Sequence, residues 1–236
     1  MEMLAVTAFL ILTGLFLAGR NKGASSVNAP RAPLIPTPSE IVRGDATKKQ
    51  VIFTFDGGEG NQSADQILNI LAAHHVRGTF FLTGKFVERN PDLVKRMVAE
   101  GHEVFNHTYD HPHLTELPGG VIASELQNMD DALFQTAAVA SGLYFRPPYG
   151  DRDQRVLDAA AQAGYRSVYW TDDALDWEEG TGMTADQVKD RILNTLQSGD
   201  IYLMHLGDTI TGTILDDVFT KIEAQGYRIV SLTQGL

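Results

Sequence analysis

The sequence predicts an α/β fold on a parallel sheet, and three observations carry that reading. From Gln50 onward, short β-branched or aromatic runs alternate with amphipathic helical segments about seven times, the pattern of strands covered by helices. Neither GxGxxG nor a P-loop glycine motif follows any of these runs, so a nucleotide-binding open sheet has no support. The reactive residues Asp56, His107, Arg146, Asp176 and His205 each fall just past the end of a different predicted strand. In a parallel barrel those ends share one face, where active sites are built, so the barrel is the preferred closure.

The elements follow in order. Residues 51–55 form the first strand. A helix over 63–74 is expected to open on a capping box of Ser63 and Gln66, with Ile67, Leu68 and Leu71 inward. Residues 78–82 are the second strand. Asn90 and Pro91 then open a helix that Gly101 closes. Residues 103–106 make a strand, and Ile122, Leu126, Met129 and Leu133 mark the helix after it. Strands at 143–146 and 166–170 flank a helix ending at Gly164. Thr184 and Gln187 form a second capping box. Strand 201–204, a helix through Leu215, Val218 and Ile222, and strand 227–232 complete the series.

Composition narrows the function. The chain has 236 residues, 43% of them hydrophobic and 21% charged, which suits one barrel-sized domain. A net charge of −11 argues against a nucleic-acid or anionic-membrane partner, because either would want a basic face. The absence of cysteine excludes disulfides, thiolate ligands and a Cys nucleophile. Residues 3–18 are uncharged and mostly apolar, with Glu2 ahead of them and Arg20 and Lys22 behind. The following Pro- and Ser-rich stretch reads as a linker. The expected organisation is a signal peptide or membrane anchor over 1–22, a linker over 23–49 and a catalytic barrel over 50–236. Export follows, with membrane attachment through the first segment left open.

The most informative stretch is Phe105-Asn106-His107-Thr108-Tyr109-Asp110-His111. His107 and His111 stand four apart, so one turn of chain puts both imidazoles on one side, a spacing suited to two ligands on one divalent metal. Taken alone, HxxxH reads as a polar His-rich loop before it reads as a metal site.

Five ordered motifs together resemble the polysaccharide deacetylases, carbohydrate esterase family four. They are Thr54-Phe55-Asp56, His107-Thr108-x-x-His111, Arg146-Pro147-Pro148-Tyr149-Gly150, Asp176-Trp177 and Leu203-Met204-His205. The resemblance implies a deformed (β/α) barrel of about seven parallel strands. It also implies a divalent metal (zinc, cobalt or nickel) on His107 and His111, Asp56 as general base and His205 as general acid. Arg146 would orient Asp56, and Asp176 would orient His205. The backbone N–H of Tyr149 would complete the oxyanion site, and Trp177 and Leu203 would receive the acetyl methyl. The implied substrate is an acetylated polysaccharide, with peptidoglycan or chitin-type N-acetyl sugars ahead of acetylxylan.

Plainer readings stand beside these. Trp177 and Leu203 suit a core, Arg146-Pro147-Pro148-Tyr149-Gly150 alone is a turn, and Asp172 and Asp173 carry no assigned role. His74, His75 and His102 read as structural. One position departs from the family: Gly57 stands where a second Asp usually supplies the third metal ligand. A glycan-binding barrel that has lost its metal is therefore the noncatalytic alternative. Gly57→Asp is expected to tighten metal, provided Gly57 is not at positive φ.

Overall fold

The computed structural model describes residues 40–236, so the apolar run and most of the linker lie outside the described residues. The strands are β1 (Gln50–Gly57), β2 (Thr79–Leu82), β3 (Glu103–Asn106), β4 (Tyr144–Phe145), β5 (Arg166–Ser167), β6 (Asp172–Asp173), β7 (Ile201–His205) and β8 (Arg228–Val230). The helices are α1 (Ala64–Ala73), α2 (Gly84–Arg89), α3 (Pro91–Ala99), α4 (Gly119–Ala137), α5 (Gln154–Gln162), α6 (Ala185–Thr195), α7 (Thr209–Ala224) and α8 (Leu232–Gly235). The sheet runs β5-β4-β3-β2-β1-β7-β6, with β8 added beside the start of β1. Every strand pair in it is parallel. This is the expected α/β barrel in deformed form.

Alternation along β1 divides the interior from the helix layer. Val51, Phe53 and Phe55 face the helices and join the main core. Ile52 faces the barrel interior with Phe81, Phe105, Val168 and Ile201. Thr54 and Asp56 follow Ile52 on that inner face, so the column ends in a carboxylate at the mouth. On β7, Tyr202 and Met204 belong to the helix-side core, whereas Ile201 belongs to the inner cluster. Leu203 and His205 therefore share the inner face. Asp56 and His205 are direct partners across the β1–β7 ladder and leave the sheet on the same side.

Several local expectations are corrected. Ser63 makes no cap at α1. Its hydroxyl instead donates to the Asp208 carbonyl (2.5 Å) and accepts from the Gly212 N–H (3.1 Å), tying α1 to the loop before α7. The Thr184–Gln187 capping box is present in both directions. Strand 166–170 divides: only Arg166–Ser167 pairs with β4, and the chain then crosses to run beside β7 as β6. Strand 227–232 shortens to β8, because Ser231 and Gln234 form a capping box that starts α8. The short α2, capped by Thr83 accepting from the Phe86 N–H, was not foreseen.

The fold also begins ahead of Gln50. Ile41 is buried and pairs with Val168, while the Gly44 N–H donates to the Gly199 carbonyl at 2.7 Å. Arg43 reaches Asp200 at 2.7 Å. These contacts bridge the seam between β5 and the base of β7, so residues 40–49 of the linker range are part of the barrel wall. No helix among the described residues is long and apolar enough to cross a membrane.

Candidate active site

The mouth is a groove of about 890 Å³ lined by Asp56, His107, His111, Tyr149, Trp177, Leu203 and His205, among others. All the residues singled out from sequence gather there except Arg146 and Asp176, which stand directly behind two of them.

Arg146 follows β4 and is completely buried. A buried cation needs partners, and Arg146 has them. It donates to Asp56 Oδ1 (2.6 Å), Thr54 Oγ1 (2.9 Å) and the Tyr169 carbonyl (3.2 Å), and its guanidinium lies 4.2 Å from the Phe81 ring centre. Burial pushes its pKa down, and the Asp56 charge opposes that push. Asp56 is thereby held by one oxygen, leaving Oδ2 toward the groove.

His205 has a parallel support. Its Nδ1 lies 2.9 Å from Asp176 Oδ1, and its own backbone N–H donates to Asp176 Oδ2 at 2.7 Å. Asp176 is fully buried and also accepts from the Trp177 N–H and the Thr211 hydroxyl. Burial opposes the imidazolium, but the Asp176 hydrogen bond and charge, with Asp56 and Asp208 beyond, raise His205 to about 9. The ring is thus protonated at neutral pH, with its Nε2 side available to act as a proton donor.

The two-histidine loop is held by groups that sequence reasoning missed. Asn106 Oδ1 accepts from the Thr108 N–H (2.8 Å) and its amide donates to the Leu126 carbonyl (2.9 Å). Glu125 of α4 accepts from the N–H groups of Tyr109 (3.1 Å) and Asp110 (2.8 Å). Thr108 and His111 both lie at positive φ, which costs about 1 kcal/mol each and needs such anchoring. The Asn106 signal was visible as a polar residue ending a buried strand; Glu125 was an ordinary helical glutamate.

His107 Nδ1 meets the Arg146 carbonyl at 2.8 Å, which fixes the tautomer and leaves a lone pair on Nε2. That Nε2 stands 3.1 Å from His111 Nε2 and 3.5 Å from Asp56 Oδ2. Two nitrogens each bound to one zinc at ~2.0–2.1 Å, at angles between about 90° and 109°, are about 2.9–3.4 Å apart. The donor set therefore fits a divalent cation. Burial lowers both imidazoles, His111 to about 3 with His107 as the next cause, so both stay neutral as ligands must. Asp176, His205 and Asp208 also lie close enough to suggest a cation site. The nitrogen that His205 turns to these carboxylates is the one paired with Asp176, and Asp176 already receives four donors, so this cluster suits a held imidazolium instead.

Gly57 meets the backbone condition set for Gly57→Asp and adds a packing condition to it. Its φ is not positive, yet by alternation its Cβ would enter the helix-side core, 2.6 Å from Leu82 Cδ2 and 3.0 Å from Leu206 Cδ1. A carboxylate there has to displace buried leucines before it reaches the histidines.

Tyr149 has φ of 58° and an exposed ring stacked on His113 at 4.2 Å, with His111 edge-on at 4.4 Å. Trp177 is half-exposed and lines the same groove, its indole N–H donating to Asp173 at 3.3 Å. Leu203 is buried and also lines the groove. His74 bridges Asp216 and Glu223, and His102 accepts from the Gly78 N–H, so both are structural as expected.

A carboxylate oriented by a buried arginine faces an imidazolium oriented by a buried carboxylate, at the mouth of a parallel barrel. That arrangement suits hydrolysis by paired acid and base. The comparisons make it specific: a model of the polysaccharide deacetylase family matches residues 43–168, and the chain belongs to that family. It is 34% identical over 189 residues to the peptidoglycan-N-acetylmuramic acid deacetylase PdaA of Bacillus subtilis, covering 80% of this chain and 72% of that one. The solved PdaA structure superposes with a TM-score of 0.79 at 33% identity, covering 83% and 84% of the two chains. A peptidoglycan-N-acetylglucosamine deacetylase of Bacillus cereus is 32% identical, with 80% and 69% covered. A CE4 family pseudoenzyme from Bacillus anthracis is also similar, with a TM-score of 0.79, 32% identity and 84% and 69% coverage. A mutant of that protein with restored enzymatic activity matches at 33% identity.

Proposed function

We propose that this chain hydrolyses N-acetyl groups of an amino-sugar polysaccharide, releasing acetate and leaving the free amine, with peptidoglycan or chitin-type glycan as substrate. The observation that carries the reading is the in-register pairing of Asp56 with His205, each braced from behind by a buried partner of opposite charge. Asp56 Oδ2, turned to the groove, takes the proton of the attacking water. His205, protonated at neutral pH, gives its proton to the amine as the C–N bond breaks. Asp176 keeps that ring turned and charged. Trp177 and Leu203 line the pocket for the methyl group, and the Tyr149 N–H serves the carbonyl oxygen as charge develops. His107 and His111, with Asp56 Oδ2 beside them, hold a divalent cation such as zinc, cobalt or nickel, which when bound supplies Lewis-acid polarisation and a more acidic water.

The similarity to PdaA and to the Bacillus cereus enzyme supports peptidoglycan over acetylxylan, and a cell-wall substrate together with the apolar N-terminal run supports action outside the cytoplasm. Gly57 and the similarity to a pseudoenzyme favour a second reading, a glycan-binding barrel without catalysis. The intact acid–base set weighs against it, because binding alone needs neither a buried Arg146–Asp56 pair nor a raised His205. Acetate release from N-acetylglucosamine oligomers, peptidoglycan and acetylxylan, measured with and without added zinc, separates the readings. Acetate from the first two supports the proposal, and none from any supports the second reading.

A further inference from the structure

Among the described residues, the groove holds one Arg that no carboxylate neutralises. Its lining is mostly acidic: Asp56, Glu59, Asp110, Asp173 and Asp208 stand against two Lys or Arg side chains, Lys85 and Arg89. Lys85 is already paired with Asp110 at 2.8 Å. Arg89, the exposed last residue of α2, meets no carboxylate among the described residues. Two backbone carbonyls hold it instead. Its Nε donates to the Lys85 carbonyl at 3.1 Å, and its Nη2 to the Gly58 carbonyl at 2.6 Å. A guanidinium carries five N–H donors, so both donors of Nη1 and one of Nη2 remain, in the planar fork that matches a carboxylate. The two carbonyls fix that fork in place, so little side-chain freedom is lost when an anion arrives. In a chain of net charge −11, a fixed arginine left unpaired in an acidic groove is a place for an anion carried by the substrate.

We propose that Arg89 is an anion subsite of the glycan groove and that it takes the lactyl carboxylate of N-acetylmuramic acid. The proposal rests on the deacetylase reading and narrows its substrate to peptidoglycan rather than chitin. Muramic acid carries its lactyl ether on the ring carbon next to the one bearing the N-acetyl group, so the carboxylate stays within one sugar of the reacting amide. Chitin carries no carboxylate. Arg89 stands at a comparable remove from the base: Gly58, whose carbonyl it holds, is two residues beyond Asp56, about 7 Å of extended backbone. Where stem peptides are attached, the lactyl group is an amide and the carboxylates are those of the peptide. The guanidinium suits either source, and the lactyl group is favoured because it stands beside the reacting amide while the peptide's carboxylates lie farther out. Arg89 also ties α2 to the loop after β1 through Gly58, a plainer role that the test has to separate.

The test is Arg89→Gln, with Arg89→Lys as the charge-retaining control, each in a full chain that also carries His205→Ala so that the glycan is not consumed. Binding is measured by calorimetry at low and high salt with three probes. They are peptide-free strands of alternating N-acetylglucosamine and N-acetylmuramic acid, the same strands with stem peptides, and an N-acetylglucosamine tetramer. With Arg89 in place, the peptide-free strands should bind tightest and lose that advantage as salt screens the pair. Arg89→Gln should weaken the peptide-free strands about tenfold, as for a lost charge-assisted hydrogen bond, and leave the tetramer unmoved, while Arg89→Lys recovers part of the loss. Equal weakening of all three probes would mark a tether for the loop and overturn the proposal, as would no weakening at all. Weakening confined to the peptide-bearing strands would overturn the lactyl assignment in favour of the stem peptide. Acetate release is scored separately on chains with His205 intact. Acetate from tetramer and strands alike, with affinities unmoved by Arg89→Gln, refutes the subsite and leaves the deacetylase reading standing. The binding preference without acetate from any probe refutes the deacetylase reading and leaves the subsite standing.

Discussion

At the scale of single residues, the acid and base differ in what their loss costs. His205→Ala removes a proton donor, and acetate release should drop by ~10²–10⁴-fold. Asp56→Asn should lose activity to the same degree, and stability as well. Arg146 is completely buried, and Asp56 is the carboxylate paired with it. Removing one charge of a buried pair costs on the order of 3 kcal/mol. Urea midpoints on both variants check this: a wild-type midpoint for Asp56→Asn would contradict the buried-pair account. The pH profile has a stated sign too. His205 is raised to about 9, so the proton it donates is present below that value and activity falls as pH rises through it. For His111 the sign reverses. Its folded value is depressed from 6.5 to about 3, so the unfolded chain binds the proton first and stability is lost as pH falls through that window. Much at this scale was legible, because Asp56, His107, Arg146, Asp176 and His205 are chemically specific at strand ends. Thr54, Asn106, Glu125 and Asp208 were not, because a threonine in a strand or a glutamate on a helix says nothing until tertiary contacts give it a partner.

At the scale of elements, strand alternation decides the meaning of Gly57. Asp56 faces inward, so position 57 faces the helices, and its Cβ would press on Leu82 and Leu206. Gly57→Asp should therefore lower thermal stability, through overpacking of about 1–3 kcal/mol and a poorly hydrated charge, without tightening zinc. Calorimetric titration of the variant with zinc, beside its melting curve, checks both halves. Tighter binding with unchanged melting would show that the strand end bends more freely than its contacts imply. The His107–His111 loop makes a second element-scale prediction. Glu125→Ala frees the N–H groups of Tyr109 and Asp110 without touching either histidine, so zinc affinity should fall about 10–100-fold, as for loss of an outer-shell support. The expected helix at 63–74 formed, but its Ser63 cap did not, because the hydroxyl found longer-range partners near α7. A capping motif states what a side chain can do locally; burial decides which option is taken.

At the scale of the whole molecule, the repeating strand and helix segments predicted a parallel sheet, the reactive residues at the strand ends pointed to a barrel with one functional mouth, and the in-register Asp56 and His205 agree with it. What the repeat could not show is where the barrel closes. The seam is bridged by Ile41 and Gly44, short irregular pieces with no periodicity of their own. A chain beginning at residue 50 should therefore melt several degrees below one beginning at residue 40, since it exposes Val168 and strips Arg43 from Asp200. Equal melting temperatures would show the bridge to be dispensable.

The proposed deacetylation is tested most directly by counting products. Incubation of the zinc-supplemented chain with N-acetylglucosamine oligomers and with peptidoglycan should yield acetate and new free amines in equal amounts, with the yield lost in His205→Ala and Asp56→Asn. Absence of acetate from both glycans at every zinc concentration would contradict it and leave a barrel that binds glycan without cutting it.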